Sequence, residues 1–127
     1  MRAALRSLRS LRVQVVLTAL VTAGLRLKAA VGRPNVLIKV PATAAGLIAI
    51  ERLIGAGVSV NVTLMFSLAH VDAVAAAYVR GLERLRSADG EAVAVMSVAS
   101  LFLSRVDTLV DKHLEQLGGD ALALRGR

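Results

Sequence analysis

The sequence predicts a parallel α/β fold on two observations. After residue 33, short apolar runs alternate with helical patterns, and those runs are apolar nearly throughout. Strand, helix, strand, helix, strand, helix calls for parallel strands joined by crossover helices. Runs without polar alternation belong to a sheet covered on both faces, as in a doubly wound sheet or an eight-stranded barrel. Periodicity alone does not choose between the two. The 127 residues suffice for one domain.

The elements follow in order. Asn35 to Val40 is a β-branched apolar run closed by Pro41, and reads as a buried strand. Thr43 can cap a helix to about Ile54, in which Leu47, Ile50, Leu53 and Ile54 share a face. Gly55 and Gly57 end it. Val58 to Val62 is a second strand. Ser67 opens a longer helix with Val71, Val74, Ala75, Tyr78, Val79 and Leu82 on one side, ending near the turn Ser87 to Gly90. Ala92 to Val98 is a third strand. A helix from about Arg105 to Leu117 follows, with Val106, Leu109, Val110, His113, Leu114 and Leu117 on its inner face, until Gly118 and Gly119 stop it.

Residues 1–32 differ in kind. They form an atypical basic and apolar segment ahead of the body at 33–127, with an apolar run from Val13 to Leu25. Three readings compete. A secretory signal has a basic start and an apolar run, with Ala29-Ala30 as a weak cleavage site. A membrane-spanning helix needs about 20 apolar residues, and Arg12 and Arg26 fence this run tightly. The third reading is a stretch not native to the domain, such as a truncated or frame-shifted start. Arg, Ala, Leu and Val are what GC-rich DNA tends to give out of frame.

Composition excludes several functions. With no cysteine there is no disulfide and no thiolate metal site. The net charge of +7 comes entirely from residues 1–33, which hold seven basic side chains and no acid. The remaining residues hold nine of each sign, and the chain has one Tyr, two Phe and no Trp. A nucleic-acid surface needs its basic stripe on the folded body, often beside stacking aromatics, so no nucleic-acid partner is expected. His70 reads as a surface or capping histidine and His113 as half-buried, and the two without a carboxylate cluster make no metal site. Gly55-Ala-Gly57 follows a helix and precedes a strand, the reverse of a dinucleotide fingerprint.

Five polar residues sit at or beyond strand ends. Lys39 lies inside the first apolar strand. A lysine buried there would be held neutral, and a neutral amine attacks carbonyls. The plain alternative is a strand-end lysine whose tip reaches solvent. Asn61 and Thr63, spaced by two, point to one face of the second strand. A turn-capping Asn and a β-forming Thr would account for them equally. Ser100 and Arg105 follow the third strand; a hydroxyl and a planar guanidinium can hold a phosphate, or be an ordinary loop and helix start.

Taken together, RPNVLIKVPAT (Arg33 to Thr43), AGLIAIERLIGAGVSVNVTLMFS (Ala45 to Ser67) and SVASLFLSRVDT (Ser97 to Thr108) resemble transaldolase in its actinobacterial form. The resemblance covers about 33–118, and its ordered motifs are specific: Lys in the strand, Asn-x-Thr-x-x-x-Ser, then Ser with Arg five residues on.

The resemblance implies a partial (β/α)8 barrel of three central β/α units. It implies that Lys39 forms a Schiff base with the dihydroxyacetone part of a ketose phosphate. Asn61 would orient the adduct, Thr63 would help hold the catalytic water, and Ser100 with Arg105 would bind the sugar phosphate. The implied enzyme is a cytoplasmic transferase of the pentose phosphate pathway, with sugar-phosphate substrates, no cofactor, no metal and no membrane partner. The family's general acid–base carboxylates come from strands before the lysine, yet no Asp or Glu precedes Glu51. A barrel of this type takes about 250 residues. An impaired fragment of a damaged gene is therefore expected, with the unusual start in place of the early strands. A small class I aldolase of the same lineage, or a non-catalytic exported or membrane-associated protein, are the alternatives.

Overall fold

A computed structural model describes residues 2–88 and 94–126, with side chains from residue 11 onward. The elements run α1 (Arg2–Val31), β1 (Ile38–Pro41), α2 (Ala44–Gly55), β2 (Val60–Met65), α3 (Leu68–Ser87), β3 (Val98–Leu101) and α4 (Leu103–Leu117), then a 3-10 helix (Gly119–Leu124). The three strands form one parallel sheet in the order β1-β2-β3. α2 packs against both α1 and α3. Consecutive parallel neighbours with crossover helices side by side are consistent with an arc of a (β/α) barrel.

Local chemistry sets the helix starts. Thr43 and Ser67 are extended residues whose hydroxyls accept from the Gly46 and His70 amides at 3.1 and 3.2 Å. Each satisfies one of the first-turn donors that a helix leaves open. His70 reinforces the second start, its Nδ1 accepting from the Phe66 amide at 3.3 Å. α2 stops where Gly57 takes φ 75°, a left-handed conformation that glycine adopts without penalty.

The core lies between the sheet and α1–α3. Val40, Val60 and Val62 meet Ile50, Leu53 and Ile54 of α2 and Val74 and Ala77 of α3, all buried. α1 belongs to this layer: Leu17 is 2% exposed, and Leu20 and Val21 pack against the core. α1 is one unbroken helix, and its stretch Leu11–Val31 has the length and mean hydropathy (1.4) of a membrane-crossing segment, Arg12 and Arg26 included.

Three expectations are corrected. The sheet is covered on one face only; on the other, Leu37, Lys39, Met96 and Val98 are exposed. The third strand begins at Val98 rather than Ala92, where Ala92 and Val93 lie outside the described residues. Ahead of it the chain is tied to β2 by serines instead of a backbone ladder. The Val60 amide donates to Ser97 Oγ, and the Met96 amide to Ser59 Oγ, both at 3.0 Å. The helix after β3 has no buried face: Leu109, Val110 and Leu117 are 71%, 47% and 65% exposed, and His113 is exposed, not half-buried. Among the described elements α4 packs only on the 3-10 helix, although β3 leaves Val98 and Leu101 47% and 43% exposed.

Candidate active site

The site is built on the open face of the sheet. In the parallel register Lys39 stands beside Asn61, and Pro41 beside Thr63. Side chains alternate faces along a strand, so Lys39 and Asn61 point away from the helices that bury Ile38, Val40, Val60 and Val62. Asn61 pairs with Val98 of β3, which puts Ser100, two residues on, on that same face. The hydrogen bond between them agrees: Ser100 Oγ donates to Asn61 Oδ1 at 2.9 Å. With its oxygen so engaged, Asn61 has an NH2 group that meets no acceptor among the described residues and can face a ligand.

Lys39 is exposed, as the reading of a strand-end lysine whose tip reaches solvent has it, and is not the buried, neutral amine of the other reading. Its neighbours in sequence are buried as expected, but the face on which it stands is uncovered. The chain's other lysines are placed differently. Lys28 Nζ donates to the Arg33 and Pro34 carbonyls at 2.9 and 3.4 Å, and Lys112 lies on α4.

Thr63 is 6% exposed and sits where β2 becomes irregular. The register shifts between Val62 and Met65, and Leu64 takes φ 62°. A left-handed leucine costs about 1–2 kcal/mol, and such bulges recur beside active sites, where they re-aim a side chain. The strain is held by bonds on either side, Ala42 N to Thr63 O at 2.8 Å and Phe102 N to Met65 O at 3.4 Å.

Arg105 is the outlying member. It lies in the first turn of α4, with its guanidinium 5.3 Å from the Phe102 ring centroid in cation–π geometry. Phe102 in turn stacks on Phe66, with centroids 5.9 Å apart. Phe102 is also the N-cap of α4 and makes no side-chain capping bond, so the first-turn amides stay available to an anion. The structure thus joins Ser100 to Asn61 and holds Arg105 on an aromatic pair. Sequence reading missed that pair, although the only two phenylalanines of the chain each follow a strand closely, which was the signal to notice.

No described strand carries an acid. Glu51 projects from α2 toward α3, where Oε2 meets Arg80 at 2.8 Å and Oε1 meets Arg84 at 2.9 Å. Among the described residues no three His, Asp or Glu side chains gather closely enough to hold a metal ion.

Comparison with known proteins identifies the family of the chain. The family model described as transaldolase/fructose-6-phosphate aldolase matches residues 10–126, beginning within α1. Over 98 residues the chain is 54% identical to the transaldolase of Mycolicibacterium paratuberculosis and 56% identical to transaldolase 1 of Streptomyces coelicolor. Each alignment covers 76% of this chain and 26% of the relative. The transaldolase of Renibacterium salmoninarum is 50% identical over 103 residues, 80% of this chain and 28% of its own. The chain therefore spans about a quarter of the length of these curated relatives.

Proposed function

The chain belongs to the transaldolase/fructose-6-phosphate aldolase family, and on that premise we propose that it carries the Schiff-base centre of a transaldolase. Transfer of a dihydroxyacetone unit between sugar phosphates, in the cytoplasmic pentose phosphate pathway, is the reaction this centre serves. The observation that carries the reading is the row Lys39, Asn61, Ser100 across three parallel strands, on a face with no other lysine.

In this reading the Lys39 amine adds to the ketone carbon of a ketose phosphate, and loss of water gives the imine. The Asn61 NH2 group donates to the adduct while Ser100 fixes the amide's orientation. Thr63, at the bulged end of β2, helps hold the water that the imine needs for release. The phosphate goes to Arg105 and the open first turn of α4, a cation and a helix N-terminus together. The strands belong to a (β/α)8 barrel, and residues 33–127 are its central part. Proton transfer has no carboxylate on these strands, so turnover by the chain as it stands is slow.

Borohydride reduction in the presence of fructose 6-phosphate tests the centre, since it freezes an imine as a stable amine. The expected result is a mass adduct on Lys39 that is absent from Lys39→Ala. An equal adduct in the variant sinks the assignment. The family's description also covers fructose-6-phosphate aldolase, so the runner-up is cleavage without an acceptor sugar. Product analysis with and without erythrose 4-phosphate separates the two.

A further inference from the structure

We propose that two copies of this chain exchange their α4 helices, each seating its apolar stripe in the cleft beside α3 of the other. At the helical period, Leu103, Val106, Leu109, Val110, Leu114 and Leu117 fall along one side of α4, and Asp107, Asp111, Lys112 and Glu115 fall on the other. Leu103, Leu109, Val110 and Leu117 are 61%, 71%, 47% and 65% exposed, and no residue of α4 is buried. The same chain carries a surface that matches this stripe. A cleft of about 260 Å³ opens between α3 and the edge strand, lined by Val71, Ala75 and Tyr78 of α3, Val62 of β2 and Ala99 of β3. Ala99 pairs with the buried Val62 and so faces the helix side of the sheet, yet it is exposed, as is Leu101 two residues on.

The connection ahead of α4 makes the occupant a second copy. α2 and α3 leave their strands through two residues, Ala42-Thr43 and Phe66-Ser67, and both pack on the sheet. α4 leaves β3 through Phe102 alone. Strand-to-helix connections ordinarily take about 2–6 residues, so α4 cannot turn back over its own strand without unwinding its first turn and giving up Leu103. Short connections of this kind favour exchange of an element between copies. The area is sufficient. At roughly 100 Å² for each exposed apolar side chain, the four named on the stripe offer about 400 Å². Exchange covers two stripes and two clefts, which is on the order of 1,500 Å² and within the range of a stable dimer. The stripe holds no Asp, Glu, Lys or Arg, so two-fold pairing sets no like charges against each other. The inference does not depend on the Schiff-base reading, because Lys39 faces the other side of the sheet.

Sedimentation equilibrium of the full chain is the test, and a dimer with a dissociation constant in the micromolar range or below is expected. Leu109→Asp on the stripe and Ala75→Glu in the cleft should each weaken it at least about a hundredfold, since each sets a charge in an apolar contact. Both positions are exposed, so the circular dichroism spectrum should not change. Inserting Gly-Ser-Gly after Phe102 should shift the dimer to monomer, because α4 then reaches its own cleft at a far higher effective concentration. That arm keeps the test decisive should Ala75→Glu fail to fold. The proposal is overturned by a chain that is monomeric before any change, or by a dimer that survives Leu109→Asp or the insertion. A dimer that survives Ala75→Glu also overturns it, since two stripes would then be pairing without the cleft.

Discussion

Gly81 and Gly24 test the helical layer, because the same change should have different consequences at the two sites. Both lie inside helices that pack on α2, Gly81 in α3 and Gly24 in α1. Replacing glycine by alanine inside a helix gains about 1 kcal/mol of propensity in either case. A Cβ at Gly81 would lie 2.8 Å from Ile54 Cβ and 3.0 Å from the Glu51 carbonyl oxygen, atoms fixed to the α2 backbone. Ordinary carbon contacts are about 3.5–4.0 Å, so α2 and α3 must separate. Overpacking of this kind costs about 1–3 kcal/mol. At Gly24 the new Cβ meets the Leu53 methyls at 2.8 and 3.2 Å. Those are the far end of a side chain that can turn aside. Gly24→Ala is therefore expected near neutrality, and Gly81→Ala less stable than it by about 1–2 kcal/mol. Urea unfolding followed by circular dichroism measures both. A Gly81→Ala chain as stable as Gly24→Ala would refute the close packing of α2 on α3.

Three further outcomes are expected. Thr43→Ala removes the cap on the Gly46 amide and should cost about 1 kcal/mol in the same unfolding assay, while Thr43→Ser should retain most of it. Glu51→Gln breaks two ion pairs whose arginine side chains are 52% and 58% exposed, so the loss should stay below about 1 kcal/mol and shrink with added salt. Ser100→Ala releases the Asn61 side chain; the yield of borohydride-trapped adduct should fall, with Lys39 still the modified residue, as peptide mass mapping would show.

The sequence disclosed what depends on local chemistry. Thr43 and Ser67 were legible as caps because a hydroxyl before an apolar period has few other uses, and both cap as expected. α2 and α3 were legible because their apolar stripes repeat at the helical period. Strand limits were less so. Nothing local in Ala92 to Val98 says that the approach to β3 would be tied through Ser59 and Ser97 hydroxyls, since that pairing joins residues 37 apart. The stripe of α4 was read correctly as amphipathic, but amphipathicity states only that a face wants cover; whether a sheet lies beneath it is a tertiary fact. Lys39 shows the same division. Its position in the strand was legible, whereas its exposure depends on what covers the face on which it stands.

That open face separates two properties that a complete active site combines. Imine formation needs an amine, a carbonyl and groups to orient them, and Lys39, Asn61 and Ser100 are held together by strand register and one hydrogen bond. Carbon–carbon cleavage further needs a proton acceptor, normally worth about 10²–10⁴ in rate. Exclusion of water adds to this, because hydrogen bonds and charges act more strongly once the site is dry. Neither is supplied by the described strands: Glu51 faces α3 and is occupied by Arg80 and Arg84, and the site face is open to solvent. Trapping and turnover therefore report on different parts of the architecture. On the proposed Schiff-base reading, the expected outcome is an adduct on Lys39 without product release.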